Sequence, residues 1–129
     1  MIRYLLDADN AIYALVQRSS PIVVRIEDHA PGEVAISAIS FAEIALGVQL
    51  QKPPPPEVLE AFLSAVPIVP FDEAAARRYA ELPFKRARFD RLLAAHALSI
   101  GATIVTNNEA DFADVPDLKL ENWSLDPNA

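Results

Sequence analysis

Cysteine is absent from the chain, which excludes disulfides and thiolate-bound metal and suits a reducing cytosol. Long hydrophobic runs are missing too. No apolar stretch approaches the roughly 20 residues needed to span a bilayer. The N-terminus enters a short apolar segment without the basic start and extended apolar core of a signal peptide, so a soluble, cytoplasmic protein with no membrane contact is expected. Positive charge is scarce: 11 Lys and Arg stand against 18 Asp and Glu, a formal net charge of −7. That balance argues against broad, nonspecific nucleic-acid binding, which depends on neutralising phosphates. It leaves room for one local basic patch. Lys85, Arg86, Arg88 and Arg91 form a candidate, clustered around Asp90.

What the chain has in abundance is apolar surface. It is 52% hydrophobic with a mean hydropathy of +0.18, high for a small soluble domain. A length of 129 residues fits one domain spanning the whole chain, with a core that needs no disulfide or zinc. The apolar excess favours a surface covered in an oligomer or by a partner, although fully buried parallel strands would also raise it.

The order of elements predicts an α/β domain. Residues 2–6 read as a short strand, Asp9 to about Arg18 as a helix, and Ser20 to Asp28 as a second helix opened by Ser-Pro. Pro31-Gly32 is a turn, Val34–Ser37 a strand, and Ser40 opens a helix reaching about Gln51. Pro53–Pro56 reads as a stiff polyproline connector. Glu57–Ala65 is a helix, Val66–Phe71 a strand, and Asp72 caps a helix to about Leu82. A basic loop, Pro83–Arg88, leads into a helix from Phe89 to Ile100, which Gly101 stops. Ala102–Thr106 and Leu118–Leu120 are the last strands. Strands separated by helix pairs imply parallel pairing with right-handed crossovers. The expected architecture is three layers, α/β/α, around a parallel sheet of four or five strands.

Four acidic positions carry most of the chemistry. Asp7 ends the run Ile2–Leu6, Glu43 is set in an apolar helix, and Asp90 shares a helical face with Leu93, Ala94 and Ala97. Asp111 follows Thr106-Asn107-Asn108-Glu109-Ala110. In an open α/β sheet, strand ends and helix starts converge on the edge where ligands bind. Each acid alone has a bland explanation: Asp7 or Asp9 can cap the first helix, Ser40-x-x-Glu43 is a formal capping box, and Asp90 can cap its own helix. Together they would repel one another at an apolar edge, at a cost that a cation offsets. Oxygen ligands of this kind favour Mg²⁺ or Mn²⁺. A metal-dependent enzyme site is the reading that follows. Thr106, at a strand end beside it, is a candidate contact to water or phosphate. His29 and His96 lie in no catalytic or metal-ligand spacing and are expected to be structural, and Trp123 is expected to pack the C-terminal segment down.

These segments resemble a known family. Tyr4-Leu5-Leu6-Asp7-Ala8-Asp9 is similar to the opening of PIN-domain nucleases, where Leu-Asp-Thr-Asn or Leu-Asp-Thr-Asp is usual. Ile36–Gly47, with Glu43, resembles the second block of that family and Phe89–Leu98, with Asp90, the third. Ala102–Asn108, Asp111-Phe112 and Val115–Trp123 resemble the closing segment of VapC-type toxins. The blocks occur in family order and cover nearly the whole chain. Two positions depart from the pattern: Ala8 stands where threonine is frequent, and Asn108 where many members carry a fourth acid.

The resemblance implies a PIN fold and a Mg²⁺- or Mn²⁺-dependent endoribonuclease, the toxin half of a VapBC-type toxin–antitoxin pair, with transfer RNA favoured as substrate. It implies that Asp7, Glu43 and Asp90 hold the metal, that Asn108 or Asp111 completes the catalytic set, and that Asp9 and Thr106 support it. Lys85, Arg86, Arg88 and Arg91 would meet RNA. A VapB-type antitoxin would lie in an apolar groove formed by the first two helices and the helix around Phe41–Leu50, and a second surface would form a homodimer. DNA would be met only through the antitoxin. Two alternatives stay open: a hydrolase of small phosphate esters, and a catalytically silent regulatory module.

Overall fold

A computed structural model describes residues 1–16, 20–83 and 88–124, with the backbone alone at Arg88. Among these residues five strands form one parallel sheet: β1 Tyr4–Leu6, β2 Val34–Ser37, β3 Ile68–Val69, β4 Thr103–Val105 and β5 Leu120–Glu121. Their spatial order is β3-β2-β1-β4-β5. The helices are α1 Ala8–Val16, α2 Pro21–Glu27, α3 Ala38–Gln49, α4 Pro56–Ala65, α5 Glu73–Ala80 and α6 Arg88–Ile100, with a 3-10 helix at Glu109–Phe112. Two helices lie between each successive pair from β1 to β4, and crossovers of that length allow parallel pairing.

Alternation along β1 builds the layers. Tyr4 and Leu6 enter a core shared with Ala11, Ile22, Ile44 and Leu59, from α1 to α4. Leu5 faces the other way, into a core with Leu93, Ala94 and Ala97 of α6, and with Phe112 and Val115. Helices therefore cover both faces of the sheet, and the α/β/α expectation holds with five strands.

Local chemistry sets the element ends. The Ser20 hydroxyl accepts from Val23 N–H at 3.3 Å and Pro21 follows it, a cap worth about 1 kcal/mol. Asp72 accepts from Ala75 N–H at 3.0 Å. Gly101 ends α6 at φ +68, a left-handed conformation that costs glycine little. Three of the boundaries that differ from expectation have a local cause. The cap of α3 is Ser37, whose hydroxyl accepts from Ile39 N–H at 3.0 Å, so β2 passes into α3 without a loop and Ser40 lies inside the helix. The third strand spans only Ile68–Val69 because Pro67 and Pro70, lacking N–H donors, bracket it. The last strand is Leu120–Glu121 rather than Leu118–Leu120, since Asp117 turns the chain at φ 66 before the ladder with β4 begins. Pro56 is the first residue of α4, where a missing N–H leaves no bond unmade.

The chain beyond β5 is clamped down. Trp123 is fully buried, stacks on His29 at 5.2 Å between ring centroids, and donates from Nε1 to Glu121 at 2.8 Å. Arg25 lies over the same indole and pairs with Glu121 at 3.3 Å.

Candidate active site

β1 and β4 are neighbours, yet the chain leaves them toward opposite edges of the sheet. Their carboxyl ends therefore flank a topological switch point, the usual ligand crevice of an open α/β sheet. Asp7 follows β1 there and Thr106 follows β4. The Asp7 N–H donates to Val105 O at 3.0 Å, so the acid is held in register with β4. Its carbonyl takes the Ala11 N–H at 3.0 Å, which starts α1. One carboxylate oxygen, Oδ1, accepts from both the backbone N–H and the side-chain Nδ2 of Asn10, at 2.9 and 2.8 Å. Asp7 is thus a helix cap and a member of the acidic edge at once, because capping occupies only one of its oxygens.

The other acids arrive from separate elements. Glu43 lies on the second turn of α3 at an exposed position, and Asp90 lies half-buried in the first turn of α6. With Ser37 as the cap, the expected Ser40–Glu43 capping box does not form. Ser40 is buried, its hydroxyl without a hydrogen-bond partner among the described residues, and Glu43 has no capping duty. Asp9 is exposed in the first turn of α1, and Asp111 is exposed in the 3-10 helix.

Their fields overlap. Burial raises the Asp7 carboxyl above its ordinary value, against the lowering effect of the Thr106 hydroxyl and of both Asn10 donors, while Asp9 raises it further. Glu43 is raised by the desolvation around it and then by Asp90, Asp9 and Asp7. Asp90 is raised by desolvation and then by Asp111, Asp7 and Asp9. Among the described residues none of Asp7, Glu43, Asp90 and Asp111 has a cationic partner. Nor do three such side chains close on a point tightly enough to enclose a bare ion. The donor set is all oxygen, mutually repelling and without counter-charge. That chemistry fits a hydrated divalent cation such as Mg²⁺, which keeps several waters and needs only one or two direct carboxylates.

Thr106 is fully buried, and its hydroxyl accepts the Asn108 N–H at 3.0 Å while acting on Asp7. Asn108 is exposed; its carbonyl accepts from Asp111 N–H at 3.0 Å, and it precedes the 3-10 helix. Sequence reasoning missed Asn10. The three-residue spacing from Asp7 was the available signal, since a helix cap at one position faces the residue three further on.

One expected role is overturned. Arg91 does not belong to a surface for RNA: it is 2% exposed and donates to both Asp114 carboxylate oxygens, at 3.4 and 3.1 Å, and to Pro83 O at 3.3 Å. Its position beside Asp90 turns it into the protein, because adjacent helical residues point about 100° apart. Lys85 and Arg86 lie outside the described residues, as does the side chain of Arg88. Both histidines are structural. His96 is buried, with Nδ1 at 2.7 Å from the Ser37 hydroxyl and its other N–H on Pro70 O, and burial lowers its pKa. His29 bonds Arg25 O through Nδ1 at 2.7 Å.

An open apolar groove of about 370 Å³ lies elsewhere, walled by Ala14, Leu15, Val23 and Ile26 on one side and Ala61 and Phe62 on the other. Its second wall is α4 and not, as expected, the helix around Phe41–Leu50. That helix, α3, instead leaves Leu46 and Leu50 60% exposed.

The model of the PIN domain family matches residues 4–118. The chain belongs to that family. Similar curated proteins include the tRNA(fMet)-specific endonuclease VapC of Shigella flexneri, 29% identical over 96% of this chain and 100% of that one. Ribonuclease VapC2 of Rickettsia felis is 33% identical, covering 93% of this chain and 97% of its own. Among solved structures, VapBC2 of Rickettsia felis bound to a DNA fragment from its promoter matches with a TM-score of 0.79 at 31% identity, over 95% of this chain and 99% of that chain. DNA-bound VapBC of Salmonella typhimurium matches at 0.80 and 29%, over the same shares. These relatives place this PIN domain in the VapC group.

Proposed function

We propose that this PIN domain is a Mg²⁺- or Mn²⁺-dependent endoribonuclease, the toxin of a VapBC-type pair, acting on RNA and most readily on transfer RNA. The observation that carries the reading is the meeting of Asp7, Glu43 and Asp90 in one field at the switch point, with no counter-charge among the described residues, in a chain of this family. Asp7, Glu43 and Asp90 would hold the ion; when bound, it would supply activation of a water and offset the charge that develops on phosphodiester oxygens during in-line displacement. Asp7 brings the oxygen that capping leaves over. Glu43 and Asp90 bring theirs from two other helices, so the spacing of the set depends on packing. Asp111, which raises Asp90, takes the fourth acidic role in preference to Asn108, whose backbone ties the loop to Thr106. Asp9 adds to the field from an exposed position and orients the set through water.

RNA would approach along Lys85, Arg86 and Arg88. The partner is a VapB-type antitoxin, a reading supported by the solved relatives, which are VapBC complexes bound to DNA. The groove between α1, α2 and α4 suits an amphipathic helix, DNA would be met through that partner, and a basic antitoxin side chain at the acidic edge would displace the metal. The exposed leucines of α3 suit a homodimer. The setting is the cytoplasm, in keeping with the lack of cysteine.

The test is cleavage of a total RNA pool by the purified protein with Mg²⁺, with Mn²⁺ and with EDTA. Cleavage restricted to the metal-containing reactions is expected. Undiminished cleavage in EDTA overturns the metal role. Turnover of p-nitrophenyl phosphate with the RNA pool intact overturns the ribonuclease role in favour of a phosphate-ester hydrolase.

A further inference from the structure

Asn10 stands out among the buried polar side chains. It is 1% exposed, in the first turn of α1, and both of its donors, the backbone N–H and Nδ2, end on the same oxygen of Asp7, at 2.9 and 2.8 Å. The remaining polar atom of the amide, Oδ1, is buried with no hydrogen-bond partner among the described residues. Turning the amide over would not cure this, since it would set Oδ1 against the Asp7 carboxylate, oxygen to oxygen. An unsatisfied buried acceptor is a standing cost to the fold. Capping does not explain that cost either, because the backbone N–H of Asn10 would cap onto Asp7 whatever side chain stood at position 10. The second bond is therefore the distinctive contribution of this side chain.

That bond has a geometric consequence. The Asp7 carboxylate also has the Thr106 hydroxyl as a hydrogen-bond partner. With both Asn10 donors converging on Oδ1 as well, exchange of its oxygens by rotation about Cβ–Cγ is resisted, and Oδ2 is the oxygen that Asn10 leaves free. The Asp7 backbone is already fixed by Val105 O and by the start of α1, so the carboxylate becomes a rigid, one-sided ligand.

We infer that Asn10 is a positioning residue for the metal, holding Asp7 by Oδ1 so that the oxygen it leaves free, Oδ2, is presented to the divalent cation. The inference rests on the metal-dependent reading above and deepens it. Asn10 touches neither metal nor substrate and acts through Asp7. Loss of such an outer partner typically lowers metal affinity about 10- to 100-fold.

Two variants test it, Asn10→Ala and Asn10→Leu. Both remove the Nδ2 donor and the orphaned oxygen; leucine also keeps most of the buried volume, so it decides the matter if alanine fails to fold. Calorimetric titration of the purified full chain with Mn²⁺ reads the affinity, and circular dichroism melting in EDTA reads the fold. The expected result is a fall in Mn²⁺ affinity of about 10- to 100-fold in a variant that melts in EDTA like the wild type. A folded variant that binds Mn²⁺ as tightly as the wild type overturns the positioning role and leaves the metal reading standing. A wild-type chain that binds no Mn²⁺ at all, and cleaves RNA in EDTA, overturns both.

Discussion

Single residues in this molecule hold two offices at once, and Asp7 is the clearest case. Its Oδ1 caps α1 and its other oxygen belongs to the acidic edge. Asparagine caps a helix about as well as aspartate, so Asp7→Asn should fold normally while RNA cleavage falls below detection. Asp90→Asn should do the same. The raised carboxyls add a prediction about pH. A group whose folded-state pKa lies above its unfolded value stabilises the fold when protonated, and loses that stability as pH rises through the folded value. Asp7, Glu43 and Asp90 are all of this kind, by burial first, with repulsion from neighbouring acids adding to it; at Asp7 that repulsion comes from Asp9, and hydrogen bonds from Thr106 and Asn10 work against the rise. His96 works in the opposite sense, since its lowered pKa costs stability as pH falls below the ordinary value of 6.5. Comparing wild type with Asp90→Asn in EDTA cancels the His96 contribution. The variant should be the more stable at neutral pH, by ~1 kcal/mol or less because Asp90 is only half-buried. The gap should close as pH falls into the carboxylate range and should shrink when Mg²⁺ is added. A thermal-melt series over pH, with and without the metal, reads all of this.

Elements hold these residues at their spacing, and the pair Arg91–Asp114 shows how. Arg91 on α6 grips the segment after the 3-10 helix through Asp114 and the chain before α6 through Pro83 O. Arg91→Ala would empty the buried space that this side chain fills and remove its bonds to Asp114 and Pro83 O, and should cost about 2–3 kcal/mol, below the full loss of a buried pair because Asp114 is partly exposed. Urea unfolding measures it. The salt dependence of RNA binding should keep its slope in that variant, whereas alanine at Lys85, Arg86 and Arg88 should flatten it by about one for each phosphate no longer neutralised. The burial of Arg91 was not legible in the sequence, because charge clustering says nothing about which side of a helix faces a core. Periodicity and caps did reveal β2, α2 and the stop at Gly101, where local chemistry decides the structure. They could not separate Ser37 from Ser40 as the cap of α3, since both offer a hydroxyl before an apolar run and only the end of β2 distinguishes them. Nor did they reveal the 3-10 helix at Glu109–Phe112, which lies at the end of a polar stretch. Asp7, Glu43 and Asp90 were legible as candidates for a different reason: charge in an apolar stretch is costly wherever the fold puts it.

The whole molecule combines an acidic edge, a net charge of −7 and an apolar groove formed by α1, α2 and α4. A toxin needs to be silenced by its partner and active without it, so the surface that binds the partner should be separable from the chemistry. Ala61 offers a clean way to divide them. It lines the groove on α4 and is already exposed, so a charged side chain there should alter stability by only about 0.5 kcal/mol. Ala61→Glu would put a carboxylate into an apolar wall that already contains Glu27, where a docked amphipathic segment would have to bury it. The expected loss of antitoxin affinity is at least tenfold, about 1.4 kcal/mol, with metal-dependent cleavage by the purified toxin unchanged. In cells the variant should arrest growth even when its antitoxin is co-expressed, and should fail to co-purify with it. Leu46→Lys with Leu50→Lys serves as the complementary control on α3. If those leucines form the homodimer, light scattering will report a monomer while antitoxin capture persists. Should Ala61→Glu capture its antitoxin like the wild type, the groove between α1, α2 and α4 is not the docking surface, and the exposed face of α3 becomes the place to look.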